Sequence, residues 1–447
     1  MTATLRRTLS LRDLVIIVVG TVIGSGIFLT PGAVLRSTGS PGIALVVWTV
    51  GGVLSLLGAL TFAELGAAKP ESGGLYAYLR DAFGARVAFL FGWTMFLVIG
   101  CGSLATLAAA FPRYLTAFVP LSPAAMRVVS ILMIAGVAAV NVRGTRQGAA
   151  VQAVGTAVKA GVIVLLSVVL IATGRGAGAA AGVVWWPDEL SLATVSAAIT
   201  GMIGVLWAYD GWQYVTYSAG EAVEPQRTFA RGIVIGTAVL IVLYVMANVG
   251  YLNALGPQGV TTSDRVASDS ATLLIGPWAG RAMAAVILVS IASAANGIAL
   301  TLPRLFYAMA RDGVFFERLA RVHPRFGTPA TAIVGTSLWA SVLVLSGTFE
   351  QLLTYVVFMM WLWFALAAAT IFVFRRREPL AHRPFRTPGY PATPVFFIVA
   401  ALVIVANTVM TRPVQSLVGV GLALLGVPAY RAWRSRRPAA AESPAGD

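Results

Sequence analysis

Twelve apolar stretches follow one another along the chain, at residues 14–35, 42–66, 87–112, 128–141, 148–173, 192–219, 232–253, 276–303, 329–347, 352–374, 393–411 and 414–430. Most are as long as a helix that crosses a bilayer. Lipid offers the backbone no hydrogen bonds, so a chain built this way folds as a bundle of spanning helices. The expected class is an all-α integral membrane protein with 12 transmembrane helices. The connections are short and leave no room for a soluble domain. Of the 447 residues, 58% are hydrophobic and 11% charged, which agrees with a polytopic membrane chain.

A net charge of +15 would suit nucleic acid, but its distribution argues otherwise. Twenty-four of the 32 lysines and arginines fall on one side of the twelve spans. Seven fall on the other: Arg36, Arg113, Arg127, Arg175, Arg265, Arg281 and Arg412. The positive-inside rule then puts both termini in the cytoplasm of a multi-pass protein of the cell (inner) membrane. The basic charge sets topology and attracts anionic membrane lipid. Cys101 is the only cysteine, so no intrachain disulfide forms. The first apolar run is too long for a signal peptide and lacks a small-residue cleavage site, so it reads as a retained span. Residues 434–447 read as a disordered cytoplasmic tail, and residues 1–433 as one transmembrane domain.

Two spans carry breaks. Gly20-Thr-Val-Ile-Gly24-Ser25-Gly26-Ile-Phe lies inside the first. Glycine costs a helix about 1 kcal/mol relative to alanine at an interior position. Opened backbone at membrane depth is tolerated where it is buried in protein or lines a cavity. The N–H groups that start the second half-helix, with the positive end of its dipole, suit a carboxylate. Close packing through small residues is the other reading of these glycines. The sixth span holds Trp207-Ala208-Tyr209-Asp210-Gly211-Trp212. Glycine-disrupted spans five apart are the expected sign of a 5+5 inverted repeat. Repeat 1 would cover about 12–173 and repeat 2 about 190–375, with helices 11–12 appended at about 392–430.

Lys159 lies well inside the fifth span, where a charge needs a partner or water. It can donate to carbonyls of the broken first span and meet a hydroxyl of the eighth, with Ser293 the candidate. It is then a fixed stand-in for a cation or a proton-coupling group, with snorkelling as the alternative. Asp210 can tether Tyr209 and Trp212, cap the second half-helix or meet a substrate cation. Trp207 is either a packing residue or a lid. Glu64 and Glu221, near cytoplasmic ends, read as gate or loop ion pairs. Asn296 reads as an interhelical hydrogen bonder. The segment from Leu75 to Phe83 reads as a short helix lying on the membrane surface.

His323 and His382 both fall in loops, and no nucleotide loop, metal cluster or nucleophile–base set lies within the spans. An enzyme is not expected, nor a cofactor or a metal. A channel lacks its filter loop or ring of acids.

Several segments together resemble the amino acid–polyamine–organocation superfamily. They are the first-span break, Ala63-Glu-Leu-Gly, Pro70-Glu-Ser-Gly-Gly-Leu-Tyr-Ala-Tyr-Leu, Ala208-Tyr-Asp-Gly-Trp, Arg304-Leu-Phe-Tyr-Ala-Met-Ala-Arg-Asp-Gly, His323-Pro-Arg-Phe-Gly-Thr-Pro and Arg383-Pro-Phe-Arg-Thr-Pro-Gly-Tyr-Pro. The chain is most similar to bacterial L-type and serine/threonine exchanger-like permeases. The resemblance implies the leucine-transporter fold and alternating access, with a substrate site around Val22, Ile23, Gly24, Ser25, Gly26, Trp207, Ala208, Tyr209 and Asp210. By that similarity, N–H groups of Ser25 and Gly26 hold the substrate carboxylate. Carbonyls near Val22, Trp207 and Asp210 take its ammonium, and Lys159 matches a lysine used instead of sodium. Glu221-Ala-Val-Glu224-Pro225 departs from the usual family segment after the sixth span, which carries two adjacent acids and Asn-Pro. No obligate protein partner is implied. The expectation is a sodium-independent carrier of neutral L-amino acids, working by exchange or proton symport. The alternatives are a carrier of cationic amino acids or polyamines, and a transporter-like sensor.

Overall fold

The computed structural model describes residues 7–71, 73–173, 183–346 and 349–435. Helices dominate it. The first half holds α1 (Leu11–Val22), α2 (Gly26–Thr38), α3 (Pro41–Ala68), α4 (Leu75–Phe83), α5 (Ala85–Thr94), α6 (Gly100–Leu115), α7 (Pro123–Arg143) and α8 (Thr145–Thr173). Next come α9 (Leu192–Ala208), a 3-10 helix at Trp212–Glu221, α10 (Pro225–Thr262), α11 (Val266–Ile275), α12 (Pro277–Thr301) and α13 (Pro303–Arg311). The chain ends with α14 (Ala330–Ser346), α15 (Phe349–Arg377), α16 (Ala392–Thr411), α17 (Pro413–Leu424) and α18 (Gly426–Ser435).

The sequence marks many of these starts. Ser10 and Asp13 form a reciprocal capping box on α1. Ser40, Ser122 and Ser191 cap α3, α7 and α9. Prolines open α3, α7, α10, α12, α13 and α17, where a missing N–H costs nothing. A π-helical turn at Met95–Ile99 joins α5 to α6 in one apolar span, Ala85–Leu115.

Ten stretches are long and apolar enough to cross a membrane, and the pair α1 and α2, bent by 46°, makes eleven. By the length and composition of these helices the chain is a multi-pass membrane protein. The expected twelve spans included residues 329–347, and the shorter apolar helix α14, Ala330–Ser346, falls within that range. Outer helices show lipid-compatible side chains such as Leu132, Leu165, Val242, Leu338 and Leu417. The centre of the bundle is α1, packed against α8, α10 and α12.

Three expectations need correction. The second half of the sixth span is not an α-helix but the 3-10 helix Trp212–Glu221. α4 is more than a surface helix, because it packs into the bundle. It buries Leu75, Tyr76, Tyr78 and Leu79 against α5 and α15, and the Tyr76 hydroxyl and Arg80 reach Asp312 at 2.8 and 2.9 Å. Helix α18 carries the chain on to Ser435, so the expected tail starts later than residue 434. Its remaining residues, 436–447, lie outside the described ones.

Candidate functional site

Helix α1 stops at Val22, and a terminating helix leaves its last carbonyls without intrahelical donors. Nearly all of them can be accounted for. The Lys159 ammonium donates to Gly20 O at 2.5 Å and to Ile23 O at 2.6 Å, and lies 3.4 Å from Ser290 O. The Ser290 hydroxyl lies 3.1 Å from both Ile23 O and Gly24 O. The Tyr244 hydroxyl donates to Val22 O at 3.1 Å. Ser25 O accepts from Phe28 and Leu29 in the second half-helix. Lys159 Nζ therefore sits at the negative end of a half-helix dipole, and Lys159 is fully buried. That geometry excludes snorkelling.

The hydroxyl in this cluster is Ser290, not Ser293. Ser293 lies one turn further along α12, opposite Gly155, where an added Cβ would come within 2.6 Å of it. The sequence cannot tell the two serines apart, because the choice depends on how α12 is rotated about its axis.

Small residues bring the three helices together. A Cβ on Gly20 would lie 2.1 Å from Thr156 Oγ1, and one on Gly297 2.3 Å from Thr21 Oγ1. Nearby, Asn296 accepts from Asn141 Nδ2 at 2.8 Å and donates to Gly148 O at 2.9 Å and Gln152 Oε1 at 3.1 Å. It is an interhelical bonder, as read from the sequence.

The two breaks touch. Gly211, at φ 124°, adopts backbone that favours glycine, and a Cβ there would lie 3.0 Å from Thr21 C and Val22 N. A Cβ on Gly26 would lie 2.5 Å from Ala208 Cα. Between the breaks is a cavity of about 20 Å³, room for about one water molecule. Val22, Gly24, Ser25, Gly26, Trp207 and Asp210 line it, joined by Thr21, Ser103, Leu107, Gly211, Tyr214 and Ile298. No partner is found among the described residues for the N–H groups of Ser25, Gly26 and Ile27. The buried hydroxyls of Thr21 and Ser25 likewise have none. Buried polar groups in native proteins are nearly always paired, and these donors are available to whatever occupies the cavity.

Three expected residues are not in the lining. Ile23 turns its carbonyl to Lys159. Ala208 is the surface on which Gly26 packs. The Tyr209 ring packs at a tilt against Trp48 and Tyr244, with centroids 6.1 and 4.9 Å away. Ser103, Leu107 and Tyr214 were missed. They sit on α6 and the 3-10 helix, and no local pattern marks them.

Asp210 accepts from Gln213 Nε2 at 2.7 Å, and Gln213 Oε1 in turn accepts from Gly211 N at 3.1 Å. The Tyr209 hydroxyl has no partner among the described residues. The expected tether to Tyr209 is therefore replaced by a link to Gln213.

At the arginine-rich end the bundle is closed by ion pairs. Arg304 donates to Glu221 at 2.8 Å, with both side chains almost fully buried, and to Thr145 Oγ1 at 2.8 Å. Glu221 O accepts from Thr8 and Leu9 ahead of α1 at 2.8 and 3.0 Å. Glu64 accepts from Arg375 at 2.8 and 2.7 Å and from Thr387 N at 2.6 Å. Lys69 does not pair with Glu64; it bridges Asp81 and Glu378 at 3.3 and 3.5 Å. Among the described residues no three histidine, cysteine or acidic side chains are grouped to hold a metal.

The chain belongs to the amino acid permease family, whose model matches residues 9–427. It is 28% identical to the serine/threonine exchanger SteT of Bacillus subtilis (strain 168) over 442 residues, which cover 97% of this chain and 98% of that one. It is 32% identical to the cystine/glutamate transporter of Homo sapiens, over 95% of this chain and 85% of the relative. It is 31% identical to the b(0,+)-type amino acid transporter 1 of Mus musculus, over 92% and 84%. The protein is a transporter of the amino acid permease class, not an enzyme.

Proposed function

We propose that this permease carries L-amino acids, neutral ones foremost, across the inner membrane without sodium, by exchange or proton symport with alternating access. The observation that carries this reading is Lys159 bonded to Gly20 O and Ile23 O. Its ammonium already occupies the carbonyl cluster where a coupling cation would otherwise bind.

The substrate carboxylate is held by the N–H groups of Ser25 and Gly26, helped by the Ser25 hydroxyl. Trp207 O already accepts from Tyr209 N and Asp210 N, and Val22 O accepts from Tyr244. The Asp210 carboxylate is thus the better acceptor for the substrate ammonium. A cavity with room for about one water belongs to an occluded state, and moving α2 away from Ala208 would admit an amino acid. The buried Arg304–Glu221 pair and the Glu64–Arg375 pair act as the cytoplasmic gate.

Counting α14 as a span brings the eleven to twelve. Breaks in the first and sixth spans support two inverted five-helix repeats with α16 and the α17–α18 span appended. The family match over residues 9–427 supports one transmembrane domain over 1–433, and the distribution of basic residues supports both termini in the cytoplasm. Protons and anionic membrane lipid are the other expected partners. A second reading, transport of cationic amino acids or polyamines, is favoured by Asp210 at the cavity wall.

Proteoliposomes test the mode. Exchange requires uptake to depend on internal amino acid and to ignore an inward proton gradient; symport requires the gradient alone to drive accumulation. A competition panel of alanine, serine, leucine, lysine, arginine and putrescine decides the class. Uptake blocked by putrescine and lysine but not by serine or leucine would replace the neutral reading.

A further inference from the structure

Four of the seven arginines assigned to the arginine-poor side converge on one cavity. Arg36, Arg113, Arg265 and Arg412 line a space of about 720 Å³ beside α2. They come from four separate places: the ends of α2 and α6, the residue before α11, and the turn between α16 and α17. One acid, Asp264, shares the lining. It lies 3.9 Å from Arg36 and is 91% exposed, so it offsets that guanidinium only weakly; Arg113 has an interaction partner of its own, so the charge of the cavity rests on Arg265 and Arg412. The positive-inside rule keeps basic residues scarce on this side, and topology gives no reason for most of them to gather at one opening.

The cavity lies beside the breaks. Thr30, in its lining, lies one helical turn beyond Gly26 and donates to Gly26 O at 2.9 Å. Gly204, also in the lining, lies one turn before Trp207. The lining thus comes within one turn, about 5 Å of helix rise, of both halves of the substrate site.

We propose that this cavity is a docking site for the carboxylate of incoming substrate, which captures amino acids of zero or negative net charge and turns away cationic amino acids and polyamines. This rests on the transport reading above and narrows its substrate class. A cleft lined by one sign of charge focuses its field and raises the local concentration of the opposite charge. The acidic amino acids gain most, because their net charge is drawn in as well as their α-carboxylate.

The test uses the full chain in proteoliposomes, with uptake of serine, leucine, glutamate and lysine measured from the arginine-poor face. Ionic strength is set at about 10 mM and about 0.3 M, on either side of a Debye length that matches the cavity. The variants are Arg265→Gln with Arg412→Gln, and Arg265→Lys with Arg412→Lys. Wild-type KM for glutamate should rise about three- to tenfold at high salt. The glutamine pair should start near the high value and lose most of the salt dependence. The lysine pair should behave as wild type, and KM measured from the opposite face should not move. Wild-type KM and salt dependence in the glutamine pair would overturn the proposal. So would a lysine pair as impaired as the glutamine pair, or a wild type that prefers lysine to glutamate. Wild-type uptake with an arginine-insensitive KM defeats the docking site alone; absence of any uptake defeats the transport reading as well.

Discussion

The ammonium of Lys159 lies 2.6 Å from the carbonyl oxygen of Ile23, on the residue that follows the last turn of α1. A side chain of the fifth span thereby closes the broken end of the first. Its second bond, to Gly20 O, fixes the half-helix from below the break as well as at it.

Removing this cation leaves buried carbonyls unsatisfied, each at about 1–3 kcal/mol. Lys159→Ala should cut transport per molecule at the surface by more than about tenfold while expression falls less, as measured by uptake normalised to surface labelling. Wild-type rates would mean that the anchor is dispensable.

Ser290 shares Ile23 O with Lys159 and also bonds Gly24 O. Ser290→Ala removes one neutral hydrogen bond, worth about 0.5–1.5 kcal/mol, so transport should fall about two- to tenfold. Ser293→Ala should change little. The reverse order of effects would restore Ser293 to the cluster.

The carboxylate site makes a prediction about ligands rather than residues. Amino acid methyl esters and the corresponding amines lack the anion that Ser25 and Gly26 N–H groups would hold. They should compete with labelled substrate at least about tenfold more weakly than free amino acids, in line with the loss of charge-assisted hydrogen bonds. Equal competition would remove the helix-terminus site.

Arg304 and Glu221 are buried together, and breaking such a pair from one side costs about 3–5 kcal/mol. Arg304→Ala should therefore lower the melting temperature in detergent markedly. The double variant Arg304→Met, Glu221→Leu should recover much of it, since a matched apolar pair leaves no lone charge. A double variant as unstable as the single one would mean that shape, not charge, holds this end closed.

Much of this arrangement was legible in the sequence, for identifiable reasons. Both breaks were visible because glycine clusters are costly inside apolar helices, and Lys159 because charge is costly there. The ion-pairing roles of Glu64 and Glu221 followed from their placement near arginine-rich loops. What was not legible depends on rotation and depth. Ser290 and Ser293 differ only in which face of α12 meets α1. Tyr214 lines the cavity from the 3-10 helix Trp212–Glu221, which turns its side chains differently from the α-helix a span would suggest. The sequence likewise does not show how closely Gly26 is packed. Its contact with Ala208 leaves no space for any side chain, and Gly26→Val would disturb the packing of both breaks.

The most direct test is uptake into proteoliposomes with sodium replaced throughout by choline. If Lys159 occupies the carbonyl cluster as a built-in cation, the initial rate with choline should equal that with sodium, within about twofold on the scale of a neutral hydrogen bond. A strict requirement for sodium would contradict the account, because a second cation would then have to bind where Lys159 already sits.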